Sequence, residues 1–311
     1  MGKIIVTPRS ISKGGHPLLE RVRAAGHELV FPSPGAQPTE AQLEAVIGDA
    51  LGYIAGVEKI GAGLIARAAK LVVISRNGTG LDNVDLAAAK ERGILVLRAE
   101  GANARGVAEL AFGHILAAAR GICSADAQFK VGAWAREKGF ELEGKTLGLI
   151  GCGRIGRLVA RFALAFNMRV LAYDLYPDPT FTPSPAFAWA TFSEALSKAD
   201  VVSLHCPPSP DGRPLLDAAA IAGLRRGVVV VNTAREKVVD GSAMAEALAS
   251  GQVRAYTVDA FDKEPPDDFS IPANPRVIAT PHIGGFTDES IDRATDMAVD
   301  NLLKALKEAV S

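Results

Sequence analysis

The chain has 311 residues, 48% of them apolar and 22% charged, with a formal net charge of −1 at pH 7. That length accommodates two cores of ordinary size, the apolar-to-charged balance excludes general disorder, and the near-neutral charge leaves no overall basic field to hold a nucleic acid. No apolar stretch reaches the roughly 18 residues of a membrane-crossing helix, and the apolar run in MGKIIVTPRS is too short for a signal-peptide core. Cys123, Cys152 and Cys206 are widely spaced and form no CxxC pair. So sparse and odd a set points to a reducing compartment, the cytoplasm, and to neither a disulfide framework nor a bound structural metal.

In chain order, the spacing predicts a strand at 3–8, a helix at 16–26 and a strand at 27–32. A helix follows at 39–50 with Thr39 as its N-cap, then a strand at 52–56, a helix at 64–70 and a strand at 71–77. A helix at 85–93 and a strand at 94–100 complete the set. This alternation builds a parallel sheet covered by helices, so the first hundred residues read as a domain of their own. A long helix over 103–120 places Val107, Leu110, Ala111, His114, Ile115 and Ala118 on one face. Strands then recur at 145–150, 169–174, 200–205, 228–233, 254–259 and 276–280, with helices at 154–166, 193–199, 217–224 and 241–250. YPDPTFTPSP (176–185) reads as a surface loop. A last helix, 288–307, aligns Ile291, Ala294, Ala298, Leu302 and Leu306. The expected class is α/β with two doubly wound parallel sheets.

GCGRIG (151–156) sits between the apolar run KTLGLI and the helical RLVARFALAF. Gly151 permits the tight turn, Gly153 lets a pyrophosphate approach the backbone, and Gly156 lets helix and strand pack closely. The first turn of the following helix, with Arg154 and Ile155, presents free N–H groups and the positive end of the helix dipole. Asp174 ends the next strand, about 20 residues further on, where a carboxylate accepts ribose hydroxyls and repels a 2′-phosphate. NAD is the cofactor this pattern predicts, in preference to NADP.

Three later strands end in reactive side chains: Arg235 after VVVVNTA, Asp259 and Glu264 in TVDAFDKEPP, and His282 in VIATPHIGG. A guanidinium grips a carboxylate, a histidine exchanges a proton near neutral pH, and a carboxylate beside it favours the protonated ring. In these segments the chain resembles the D-isomer-specific 2-hydroxyacid dehydrogenases, and RNGTGLDNVD (76–85) looks most like the phosphoglycerate dehydrogenase branch.

That resemblance implies hydride transfer between NAD(H) and a small 2-hydroxy or 2-keto acid. Arg235 would bind the substrate carboxylate, His282 would be the acid/base and Glu264 its partner. The backbone N–H groups of Asn77 and Gly78 would hold the other side of the carboxylate. Thr79, Arg154, Ile155, Asp174, Cys206, Thr233, Asp259, His282, Gly284 and Gly285 match family positions around the cofactor. The implied organisation is a Rossmann nucleotide-binding domain (101–285) inserted into a flavodoxin-like substrate domain (1–100 plus 286–311), with the reaction in the cleft between them and a homodimer to which the segment around Trp134 contributes.

The substrate stays open at this level among 3-phosphoglycerate, glyoxylate or hydroxypyruvate, and D-lactate. Arg76, Arg98 and Arg105 are candidates for meeting a second anionic group. Two departures stand against the phosphoglycerate branch: Glu236 follows Arg235 where the family usually has glycine, and the sequence to Ser311 holds no regulatory domain of the kind many phosphoglycerate dehydrogenases carry. A reading from another class is an NAD(H)-responsive, corepressor-like binding protein. Among the other histidines, His114 is expected to be a satisfied core residue, His205 structural, and His16 and His27 surface turns; Cys206 is expected to pack, not to react.

Overall fold

The computed structural model describes residues 2–13 and 15–310; Met1, Gly14 and Ser311 lie outside the described residues. The chain divides into two compact units, Met1–Asn103 with Thr287–Ser311, and Ala104–Phe286. The second unit thus interrupts the first in sequence.

In the first unit, strands β1 (Lys3–Val6), β2 (Glu28–Val30), β3 (Ala50–Ala55), β4 (Val73–Arg76) and β5 (Leu95–Arg98) form an all-parallel sheet of order β2-β1-β3-β4-β5. That is the flavodoxin-like winding. Thr39 caps the helix Glu40–Ile47 in a full capping box with Gln42, two backbone-directed bonds that start the helix where the sequence places it. The last helix, Asp288–Val310, covers this same sheet: Ala298, Val299 and Leu302 pack with Ile4, Val6, Ile54 and Val73. Ser75 Oγ donates to the carbonyl of Ala298 at 2.8 Å, fixing the register of that contact.

In the second unit, β6 (Thr146–Ile150), β7 (Arg169–Tyr173), β8 (Phe187–Trp189), β9 (Val201–Leu204), β10 (Val228–Asn232), β11 (Val253–Val258) and β12 (Val277–Ala279) form a parallel sheet of order β12-β11-β10-β9-β6-β7-β8. This is the dinucleotide-binding winding, with its switch point between β6 and β9. The register decides what comes next. Ile150 pairs with Tyr173 and Leu204, Leu204 with Asn232, Asn232 with Val258, and Val258 with Ala279. One line of paired residues therefore ends the sheet, and the next residue of each strand (Gly151, Asp174, His205, Thr233, Asp259, Thr280) starts a loop at the same carboxyl edge.

Several local expectations are corrected. Four elements were not foreseen: the short helix Arg9–Ser12, β8, the 3-10 turn Glu236–Val238, and a helix over Ile122–Lys130 that buries none of its residues. The segment 16–26 begins as a 3-10 turn, Pro17–Leu19, capped by His16, whose Nε2 lies 3.0 Å from Asp292 Oδ1. His16 is thus an anchored residue, not a plain surface turn. His114 is buried as expected, but it is only half satisfied: Nε2 lies 3.4 Å from Thr280 Oγ1, while Nδ1 has no partner among the described residues.

Candidate active site

The turn after β6 is shaped by collisions that only glycine avoids. Gly151 has φ 92°, and a Cβ on it would lie 2.7 Å from the carbonyl carbon and oxygen of His205. A Cβ on Gly156 would lie 2.1 Å from the carbonyl oxygen of Gly151, so the helix Arg154–Ala165 could not come as close to the strand. Gly153 is the N-cap of that helix, and a Cβ there would meet nothing within 4 Å. The helix start therefore opens onto free space where an anion can approach its N–H groups.

Asp174 is aimed before any ligand arrives. Its Oδ2 accepts the amide of Cys152 at 2.7 Å and its Oδ1 the amide of Tyr176 at 2.9 Å, which leaves a further acceptor position on each oxygen for ribose hydroxyls. The Cys152 peptide is held from its other side too, because Arg157 Nε donates to its carbonyl at 3.2 Å while Arg157 Nη2 bonds Asp178 Oδ2 at 2.9 Å. Thr233, after β10, has a buried hydroxyl with no partner among the described residues. An open helix N-terminus, a preset carboxylate and an orphaned hydroxyl at one sheet edge fit a dinucleotide. Burial pushes the Cys152 thiol up to about 12 and the Cys206 thiol up to about 11, so both are neutral packing residues.

The reactive pair stands at the same edge. His282 Nδ1 lies 2.7 Å from Glu264 Oε1 and 2.9 Å from Oε2, and Glu264 Oε1 also accepts the amide of Phe261 at 3.1 Å. With its proton on Nδ1 committed to Glu264, the ring keeps Nε2 for exchange. The hydrogen bond His282 donates to Glu264 raises the His282 pKa against the opposing effect of burial. Burial pushes Glu264 up, but the bond and charge of His282, the Phe261 amide and the Arg235 charge together hold it below the ordinary value.

His282 has φ 54°, a left-handed conformation that costs a non-glycine residue about 1–2 kcal/mol. Asp259 holds it there. Its carbonyl accepts the His282 amide at 2.7 Å, its Oδ1 accepts Thr280 Oγ1 at 2.6 Å and the Ile283 amide at 2.9 Å, and its Oδ2 accepts the Gly284 amide at 2.8 Å. Most of this carboxylate is spent on the His282 turn, with one acceptor position left on Oδ2. Gly285 continues the turn. Arg235 follows β10, its loop shaped by Asn232, whose Nδ2 donates to the Arg235 carbonyl at 2.9 Å. Asn232, Thr280 and Arg157 stand inside the motifs that drew attention to their neighbours, and the sequence offered no sign of their roles.

The first unit corrects one expectation and bears on another. The Asn77 amide already donates to the carbonyl of Ala55 at 2.9 Å, as the last rung between β3 and β4, so it is not available to a substrate. The amides of Gly78, Thr79 and Gly80 make no hydrogen bond among the described residues and are the free donors of this loop. Arg76 is 6% exposed, and its guanidinium donates to Gly80 O and Ala55 O at 3.0 Å each. These bonds hold its Nε and Nη1 to backbone carbonyls of the loop and of β3. Arg98 lies 3.7 Å from Glu100, and Arg105 is ion-paired with Glu109. Thr79 Oγ1 lies within reach of Asn103 Oδ1, at 3.0 Å.

A family model described as the D-isomer specific 2-hydroxyacid dehydrogenase, NAD binding domain, matches residues 112–284. The chain belongs to this family. D-3-phosphoglycerate dehydrogenase of Mycobacterium leprae is 41% identical over 266 residues, 84% of this chain and 50% of that protein. Hydroxypyruvate reductase of Thermotoga maritima is 42% identical over 253 residues, 80% of this chain and 82% of that one. Among solved structures, the TT0316 protein of Thermus thermophilus is similar at a TM-score of 0.87 and 37% identity, covering 98% of this chain and 97% of that one. The chain spans about half the length of several of the curated relatives it matches. The glycine turn, Asp174, Arg235, Asp259, Glu264 and His282 all fall in the stretch that this dehydrogenase family's NAD-binding domain matches.

Proposed function

We propose that the chain is an NAD-dependent dehydrogenase interconverting a small D-2-hydroxy acid and its 2-keto acid. The observation that carries this reading is the Glu264–His282 pair, assembled beside Arg235 at the sheet edge that also holds the glycine turn and Asp174. Bound NAD(H) supplies or accepts the hydride. In reduction, Arg235 grips the substrate carboxylate and the protonated His282 gives the Nε2 proton to the carbonyl oxygen; in oxidation the neutral ring takes it back. Glu264 keeps the ring oriented and stabilises its charge. We assign NAD binding to the second unit and substrate binding to the first, through the free amides of Gly78, Thr79 and Gly80.

Arg76 is committed within its loop, and Arg98 and Arg105 have acidic neighbours, which favours an unphosphorylated acid over 3-phosphoglycerate. Hydroxypyruvate, glyoxylate or pyruvate is therefore expected to be reduced with a higher kcat/KM than 3-phosphohydroxypyruvate when NADH absorbance is followed. A clear preference for the phosphorylated acid would reverse that choice. The assembled acid/base pair gives the corepressor-like reading no support. A homodimer in the cytoplasm is the expected state, consistent with the free cysteines and with the exposed, adjacent Phe129 and Trp134 rings, 6.0 Å apart; sedimentation checks the dimer.

Asp174→Ser removes the preset carboxylate. NADH should lose roughly tenfold to a hundredfold in KM, the value of hydrogen bonds to a charged acceptor, while NADPH gains relative to NADH. An unchanged preference would mean that Asp174 does not read the ribose. For pH, reduction needs His282 protonated. Its kcat/KM should be level below the raised pKa and fall about tenfold per unit above it, with oxidation showing the mirror-image rise. Glu264→Gln should move both limbs down towards about 6.5, the ordinary imidazole value.

A further inference from the structure

Glu236 stands directly after Arg235, at the start of the 3-10 turn Glu236–Val238. Its side chain does not join the anion site. It crosses to the loop that carries Glu264, where Oε2 accepts the amide of Asp262 at 2.8 Å, two residues before Glu264. The neighbouring Lys237 reaches the same residue, Nζ lying 3.8 Å from Asp262 Oδ2, an exposed ion pair of little energy by itself. The loop needs such a tie, because Asp262, Lys263 and Glu264 are exposed and contribute no core packing to hold them. Behind them, Asp259 N–H donates to Asn232 O at 3.2 Å, so the two loops leave the sheet side by side.

We propose that Glu236 is a positioning residue: by holding the Asp262 amide it fastens the Glu264 loop to the Arg235 loop and keeps Glu264 on Nδ1 of His282. The contact joins the segment that carries the substrate-gripping arginine to the one that orients the acid/base. Without it, Glu264 swings away for part of the time, and His282 loses the partner that favours its charged form. The charged groups that bear on the imidazole are Glu264, Asp259 and Arg235. Glu236 also adds a negative charge felt at Tyr256, so the tie has to be separated from its field. Glu236→Gln keeps an acceptor oxygen without the charge, and Glu236→Ala removes both.

The inference rests on the proposed role of His282, but its first readout needs no substrate. The His282 ring is titrated by NMR in the full chain, its signal assigned with His282→Asn. Wild type and Glu236→Gln should titrate together above the ordinary value, and Glu236→Ala about one unit lower. In turnover, Glu236→Ala should lose about tenfold in kcat/KM for reduction on the alkaline side of the pH limb, from the same downward shift, with Glu236→Gln restored to within about threefold. A Glu236→Ala ring that titrates like wild type overturns the tie. So does a Glu236→Gln ring that falls as far as Glu236→Ala, which would leave only the field of the carboxylate. A wild-type protein that turns over no keto acid defeats the proposed function while leaving the titration to decide the role of Glu236.

Discussion

His282→Asn is expected to lower kcat for keto-acid reduction by about 10²- to 10⁴-fold, the usual contribution of a positioned acid/base, while NADH binds within a fewfold of wild type. Asparagine is the informative replacement. The backbone at 282 is left-handed, with φ 54°, a conformation that asparagine tolerates better than other non-glycine residues. The turn held by Asp259 should therefore survive while the exchangeable ring proton is lost. Alanine would mix the loss of the proton with strain in the turn. Steady-state reduction beside a fluorescence titration with NADH separates the two. If NADH binding disappears together with turnover, His282 is maintaining the turn and the proton-transfer role has to move elsewhere.

Gly156→Ala should weaken NADH binding by about ten- to a hundredfold and cost about 1–3 kcal/mol of stability, the usual range for a group forced into a filled space. The added Cβ would lie 2.1 Å from Gly151 O, and that carbonyl has little room to retreat. Gly151 donates its own amide to Tyr173 O at 2.8 Å, and its Cα already faces the His205 peptide. Relief has to come from pushing the helix off the strand, which moves the N–H groups that would meet the phosphates. Gly153→Ala is the control. Its Cβ enters open space, so the melting temperature should hold while NADH binding still falls, because the methyl occupies the path of the pyrophosphate. Equal loss of stability in both variants would contradict this account of the turn.

The sequence by itself determined what is local or periodic. An apolar run, a glycine turn and an amphipathic helix place β6, the turn and the helix Arg154–Ala165, because each depends on neighbours within a few residues. The N-cap at Thr39 was readable for the same reason. Arg235, Glu264 and His282 could be singled out because each closes a strand pattern with a side chain of distinctive chemistry. β8 was not readable: three residues beyond a proline-rich loop are too few for a pattern, and they are held by edge-to-face contacts among Phe181, Phe187 and Trp189. Nor was the helix Ile122–Lys130, which has no buried residue to mark its face.

Tertiary structure alone decided how the polar groups were spent. Asn77 and Gly78 look equivalent in the sequence, yet the amide of Asn77 is used by Ala55, 22 residues earlier, and the amide of Gly78 is free. Arg76 reads as a charge for a ligand, and only the fold shows that its Nε and Nη1 bond the carbonyls of Gly80 and Ala55. Glu236 reads as a carboxylate beside an anion site until Asp262 comes within reach. A side chain's chemistry is written at its own position, but its hydrogen-bond partner comes from another strand or loop, and only the folded sheet brings the two together.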